Sequence, residues 1–390
     1  MNMKRIINIK RVWAVAYKEW LEIVRDRLFF ALSFIVPVVL MLLFGFGLSF
    51  DVENLPFAII DRDSSAMSRD YAYQYINSRY FDFKGFASDQ RDLDFLLTDN
   101  ELRMFIVIPE HFQKRLLKGR PVTVQTHIDG TYPFRANTAK GYVSAINNSF
   151  SMSLMADHFS KRYGLRPDNV QSILKPVKLG VRYLYNQSLN SIWSVAPKLI
   201  MAILLISPPF LTALGVVREK ESGSIYNIYA STVSRMEFLI GKLSPYVLIS
   251  FINAVLLFVF AKFLYGAPFK GDLLFFALAT VLYVICTTGI GLVVSVFVKT
   301  QVAAMIVSAI VTVVPAALYS GVIIPIPSLS AFAQVAAHLL PAMYYTEIVL
   351  GSFLKGVGIT ALWPDVLILG IYATVLFLVG YLLFTKRPRA

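Results

Sequence analysis

One cysteine in 390 residues, Cys286, leaves no partner for an intramolecular disulfide, so a small secreted scaffold stapled by bridges is excluded. Charge is scarce as well: 16% of residues are Asp, Glu, Lys or Arg against 56% hydrophobic, and mean hydropathy is +0.61. That balance cannot cover a water-soluble surface and is too apolar for a disordered chain. The four histidines, His111, His127, His158 and His338, are scattered. Only His127-Ile128-Asp129 brings two metal-type ligands close, and it reads as a strand end entering the Asp129-Gly130 turn. No G-x-x-x-x-G-K-[ST] phosphate loop occurs, because Gly241-Lys242 is followed by Leu243 and lacks the earlier glycine. The chain therefore shows no ATPase motif, no catalytic constellation and no metal or cofactor site of its own.

The net charge is +13, but Lys and Arg are dispersed and cluster beside apolar runs. This pattern fits anionic lipid headgroups, not nucleic acid. Apolar runs long enough to cross roughly 30 Å of hydrocarbon, about 20 residues each, are Leu28 to Phe50, Leu199 to Val217, Leu243 to Ala261, Leu273 to Val298 and Val366 to Thr385. From Thr300 to Thr346 no charged residue occurs, which is too long for one crossing, and Gly321, Pro325, Pro327 and Pro341 interrupt it. We read one span to about Ile324 and a re-entrant outer segment over 325–363. The expected fold is a polytopic α-helical membrane protein with six transmembrane helices and an inserted domain. Lys4, Arg5, Lys10, Arg11, Lys18, Arg25 and Arg27 precede the first span, and Lys386, Arg387 and Arg389 follow the last, so the positive-inside bias puts both termini in the cytoplasm.

Residues 1–27 lack a cleavage signal and carry Ile9, Trp13, Ala16, Trp20 and Ile23 at helical spacing, the mark of an amphipathic helix lying on the inner membrane surface. The first span covers 28–50. Residues 51–188 have globular composition and alternate strand-like runs (Pro56 to Ile60, Met104 to Ile108, Val122 to Ile128) with amphipathic stretches (Ser65 to Ser78, Glu110 to Lys118, Asn137 to Arg162). An α/β domain outside the membrane is expected. Residues 189–390 hold spans two to six.

Between the second and third spans, 218–242, charges cluster at Arg218 to Glu221, and Ser222 or Ser224 can cap a short helix whose Ile225, Ile228 and Tyr229 form one apolar stripe. Ser234-x-x-Glu237 is a capping box for the next helix. Glu219-x-Glu221-x-Gly223, then Thr232-Val233-Ser234-Arg235 and Ile240-Gly241-Lys242, resemble the signature of type-2 ABC exporter permeases. Ile60-Asp61-Arg62-Asp63-Ser64-Ser65, Ile106-Val107-Ile108-Pro109-Glu110 and Asp129-Gly130 resemble the large insertion of the drug-efflux branch.

The resemblance covers nearly the whole chain, with Ser222-Gly223-Ser224 standing where arginine-glycine-threonine is more usual. It implies a half-transporter of the bacterial inner membrane that pairs with a second permease, as homodimer or heterodimer, and with two ATPase subunits that bind ATP and magnesium. A periplasmic adaptor is a further implied partner. Glu219, Glu221, Gly223, Ile225, Ile228, Tyr229, Thr232, Ser234 and Arg235 would form the ATPase-coupling segment, and the helix near Ile9 to Arg25 a second contact. Pro209 and Pro315, in the second and fifth spans, and Glu347 on the outer side are the expected translocation-path residues. The function implied is outward movement of a hydrophobic or amphipathic compound. The alternatives are a lipid or glycan exporter and, in a different class, a membrane-anchored sensor or scaffold.

Overall fold

The computed structural model describes residues 8–47, 52–88, 93, 96–97, 99, 101–163, 182, 184–224, 226, 231–322 and 324–384. It divides into two compact units, Met1–Phe50 with Tyr183–Ala390, and Asp51–Arg182. Among the described residues six helices are long and apolar enough to cross a membrane, all in the first unit: Arg27–Gly47, Ser191–Glu221, Arg235–Leu264, Leu273–Phe297, Gln301–Tyr319 and Ile359–Leu383, called spans one to six below.

Helix α1, Ile9–Arg25, starts where Asn8 accepts a hydrogen bond from the Lys10 amide at 3.0 Å, and it ends at Asp26. Asp26 is in turn the N-cap of the first span, accepting from Leu28 N at 2.8 Å and Phe29 N at 3.2 Å. One carboxylate thus closes a corner between two helices. The same chemistry starts the next four spans: Asn190 caps the second, Ser234 the third, Asp272 the fourth and Thr300 the fifth.

The second span is the axis of the unit, with most of its residues from Val195 to Val217 buried and neighbours on the first, third, fourth and fifth spans. Close approach needs small residues. At Gly291 of the fourth span an added Cβ would lie 2.5 Å from the Pro209 carbonyl oxygen and 2.8 Å from Pro209 Cα. By contrast the fifth and sixth spans bury 18% and 17% of their apolar windows and leave Ile306, Ile310, Val314, Ile371 and Leu378 exposed, as a lipid-facing surface would.

In the other unit four strands form a sheet ordered β2-β1-β3-β4, with β1 Leu55–Asp61, β2 Phe81–Phe86, β3 Met104–Ile108 and β4 Gln125–Ile128. β1 runs parallel to β2 and β3, and β4 pairs antiparallel to β3. The central strands are apolar on both faces, as strands covered on both sides must be. Helices α2 Ala66–Ile76, α3 Phe112–Leu117 and α4 Pro133–Tyr163 supply cover; Tyr71, Tyr75, Phe112 and Phe150 pack with Phe57, Ile59 and Ile106. Edge strand β2 is an addition to the strands expected from sequence, and β4 is shorter than the run from Val122. His127 stacks on Phe105 at 4.4 Å, while the Asp129 carboxylate is held by Arg103 at 2.6 Å and Thr131 N at 2.9 Å. The two side chains do not converge on one point.

Between spans five and six lie a 3-10 turn Ile326–Ser328 and helices α5 Ala331–His338 and α6 Pro341–Leu350. α6 continues as a π turn over Gly351–Lys355; at 1.5 Å per residue even this longer piece rises only about 22 Å, short of the hydrocarbon thickness of roughly 30 Å. α6 is nonetheless buried: Tyr345 is 0% exposed, stacks on Tyr283 of the fourth span at 4.0 Å and shares a 2.8 Å hydrogen bond with Thr280.

Gly291→Val is expected to push the second and fourth spans apart and to cost about 1–3 kcal/mol by overpacking. Thermal unfolding of the purified protein in detergent reads this as a lowered Tm; an unchanged Tm would disprove the close contact.

Candidate functional site

Helix α1, the end of the second span and the start of the third meet at one end of the helical unit. Glycines make the meeting possible. At Gly241 an added Cβ would sit 2.8 Å from both the Val12 carbonyl oxygen and Val15 Cβ, so α1 lies backbone-close to the third span. At Gly215 an added Cβ would overlap the Tyr246 hydroxyl. The capping box at the third span's start is complete: Ser234 accepts from Glu237 N at 3.2 Å and the Glu237 carboxylate accepts from Ser234 N at 2.7 Å. The other Glu237 oxygen accepts from Asn8 N at 2.8 Å, so one side chain fixes the beginnings of two helices. Arg11 of α1 adds a 2.8 Å hydrogen bond to the Thr232 carbonyl.

Inside this junction Lys242 of the third span is 0% exposed. Its ammonium lies 2.6 Å from Glu19 Oε2 of α1 and 3.1 Å from Glu219 Oε1 of the second span. Lys18 reaches the same Glu219 oxygen at 2.8 Å and Glu22 at 3.4 Å, and the Tyr246 hydroxyl donates to Glu19 Oε1. Burial pushes the Glu19 carboxyl above its ordinary value, against the pull of the Lys242 ammonium. Partial burial works to lower Lys18, but the Glu219 and Glu22 carboxylates outweigh it and hold the group above its ordinary value. Oxygens of Glu19, Glu22 and Glu219 lie within 4.8 Å of one another, a spacing that could hold a metal. The two lysine ammoniums supply the positive charge this cluster needs. A buried pair breaks even only when both partners remain, which makes the junction intolerant of losing one member.

Around it, Arg218 pairs with Asp26 at 2.6 Å, and that bond together with the two backbone donors brings the Asp26 carboxyl below its usual range despite some burial. Lys220 donates to the Ser295 carbonyl. Glu221 Oε2 accepts from Gln301 N at 3.1 Å and Gln301 Nε2 at 2.9 Å, tying the second span's end to the fifth span's start. An open hollow of about 500 Å³ lies beside these groups, lined by Lys18, Glu22, Arg25, Asp26, Arg218 and Ser222.

Of the residues expected to touch a partner, Thr232 and Arg235 are exposed, and Glu221 is exposed although hydrogen-bonded. Gly223 has φ +72°, a conformation that side chains rarely adopt. Ser234 serves as a cap. Glu219 corrects the expectation: it is 4% exposed and its charge is turned inward to Lys18 and Lys242, so it organises the junction from within instead of offering a direct contact. Ile225, Ile228 and Tyr229 lie outside the described residues. For the expected path, Pro209 is buried against Gly291 within this chain, which removes it from a surface shared with a second copy. Pro315 is half-buried in the fifth span and Glu347 is exposed on α6. The sequence reading passed over Glu19 and Tyr246, and quoted Lys242 only within the Ile240-Gly241-Lys242 motif without giving it a role. A signal was present: Lys242 stands alone in the run Phe238 to Leu243, and a lone charge in an apolar helix has to find a counter-charge.

A family profile described as "ABC-2 family transporter protein" matches residues 27–382. Among similar proteins, the probable multidrug ABC transporter permease YbhS of Escherichia coli K12 is 27% identical over 383 residues, 98% of each chain. The probable multidrug ABC transporter permease YbhR of the same strain is 23% identical over 377 residues, 97% of this chain and 99% of that one. The inner membrane transport permease YhhJ, also of that strain, is 24% identical over 334 residues, 85% of each.

Lys242→Met would strand Glu19 inside the junction and is expected to cost about 3–5 kcal/mol. Glu19→Gln combined with Lys242→Met removes both members and should recover part of the loss. Unfolding temperatures of the three proteins in detergent test this; a double variant worse than Lys242→Met alone would show that the pair is not coupled.

Proposed function

Because the chain belongs to the ABC-2 transporter family and is the permease subunit of an ABC exporter, we propose that it moves a hydrophobic or amphipathic compound outward through the bacterial inner membrane. The relatives' names as multidrug permeases support the compound class, and the name of one as an inner membrane permease supports the location. Two separate ATPase subunits bind ATP with magnesium, and a second permease, the same chain or a relative, completes the membrane portion. Both termini face the cytoplasm, in keeping with the basic residues that flank the first and last spans. The unit Asp51–Arg182 then lies on the outer side, where an adaptor can reach it, and α5 and α6 form a re-entrant pair on that same side.

The ionic junction carries this reading. A push on the segment after the second span has to reach both the second and the third span to change the access of a central path. Glu219, Lys242 and Glu19 join those two spans to α1 through charges that are costly to separate away from water. Gly223 with the exposed Thr232 and Arg235 is the contact, and the buried cluster behind them is the lever. Differential affinity of the ATPases for two permease states supplies the bias that drives the change. α1 exposes Ile9 and Trp13 at 80% and 71%, which suits a helix resting on lipid beside the docked ATPase.

Co-purification from native membranes tests the assignment. Gly223→Val and Arg235→Glu are each expected to lose most of the ATPase subunit while the permease keeps its unfolding temperature. Recovery of the ATPase in undiminished ratio to the permease would reject this loop as the contact.

A further inference from the structure

The first span carries a local break in its own hydrogen bonding. Pro37 has no N–H, so the Ser33 carbonyl, four residues earlier, loses its helical donor. Residues Ala31–Ile35 form a π turn in which the Val36 N–H reaches back to the Ala31 carbonyl. The Leu32 carbonyl is thereby deprived of Val36, its α-helical donor, and of Pro37, which would stand in the π-helical position. Unpaired carbonyls are not tolerated in hydrocarbon, and each of these two is satisfied from a different span. Ser207 Oγ of the second span donates to Leu32 O at 3.3 Å, and Asn253 Nδ2 of the third span donates to Ser33 O.

The same junction holds more polar atoms than these bonds consume. Ser33, Ser250 and Asn253 are between 0% and 1% exposed, yet Ser33 Oγ, Ser250 Oγ and Asn253 Oδ1 have no hydrogen-bond partner among the described residues. Ser250 and Asn253 stand three residues apart, on one face of the third span, and Asn253 already touches the Ser33 backbone. Two hydroxyls that donate and accept, with one amide oxygen that only accepts, are a poor set for a cation because none carries charge. They match water, which donates to the amide oxygen and accepts from a hydroxyl, and which needs two to four such partners to stay buried.

We propose that Ser33, Ser250 and Asn253 form a binding site for one ordered water molecule that bridges the first span to the third. Asn253 is its positioning residue, since its amide nitrogen holds the freed Ser33 carbonyl while its oxygen faces the water. The first span follows α1 directly through the Asp26 corner, so this bridge is a second tie, inside the membrane, between the α1 end of the chain and the third span. It stands independently of what the exporter carries.

A double-mutant cycle on the full-length protein tests the bridge. Ser33→Ala and Ser250→Ala remove hydroxyls that share no direct bond, so coupling between them requires something held in common. Each single change is expected to lower the unfolding temperature in detergent, and the double change to lower it no further than the larger single one. Temperature losses that simply add, or no loss in either single variant, would overturn the proposal. A structure of the assembled complex that resolves solvent gives a separate reading. Density within hydrogen-bond distance of all three atoms supports the site, and hydroxyls turned onto their own helix carbonyls with no density between them overturn it.

Discussion

The ammonium of Lys242 is fully buried, and a cation so placed has to be neutralised by protein groups brought to it from elsewhere in the chain. Glu19 arrives from α1 and Glu219 from the second span, so satisfying one charge fixes the mutual placement of three helices. Gly241 and Gly215 are the steric conditions for this: one lets α1 come within backbone contact of the third span, the other leaves room for the Tyr246 hydroxyl that completes the Glu19 coordination. Lys18, Arg11, Glu237 and Asp26 then extend the polar frame outward from the buried pair. The segment between the second and third spans is held to this frame at both ends, by Glu219 at one and the Ser234–Glu237 capping box at the other.

A second constraint is that backbone groups in hydrocarbon need partners. Prolines sit inside five of the six spans, and each removes a donor from a carbonyl four residues earlier. In the first span Ser207 and Asn253 supply the missing donors from neighbouring spans; in the third, Ser244 Oγ donates to the Gly241 carbonyl that Pro245 leaves unserved. In the third span the donor comes from the same helix, but in the first the proline turns intrahelical bonds into bonds between helices. Together with close contacts such as Gly291 on Pro209, they give the spans specific neighbours where apolar surface alone would give none.

The legible parts of the chain were those where a local pattern meets a strong solvent preference. Six apolar helices, the helical spacing from Ile9 to Ile23, the strands at Pro56 to Ile60 and Met104 to Ile108, and the Ser234 capping box all appear in the structure close to where periodicity and cap chemistry put them. Edge strand β2 escaped because Phe81-Asp82-Phe83-Lys84-Gly85-Phe86 is short, mixed in character and bent at Gly85, and only pairing with β1 makes it a strand. Glu219 was legible as an acidic residue at a span's end, but the direction of its side chain was not. An acidic residue beside a serine-rich loop reads as surface until a lysine from a helix more than twenty residues further on is packed against it.

Composition and run length by themselves determined that this chain belongs in a membrane, how many helices are long and apolar enough to cross it, and where a stretch of globular composition is inserted. Those properties follow from the cost of putting each residue in water or in hydrocarbon, a cost paid one residue at a time. Only the tertiary structure decided which charges meet, that Lys242 joins Glu19 to Glu219, that Pro209 faces Gly291, and that Asn253 serves a carbonyl released by Pro37. Each of these depends on the rotation and height of one helix relative to another, and those are set by the simultaneous packing of several spans, which no single stretch of sequence encodes.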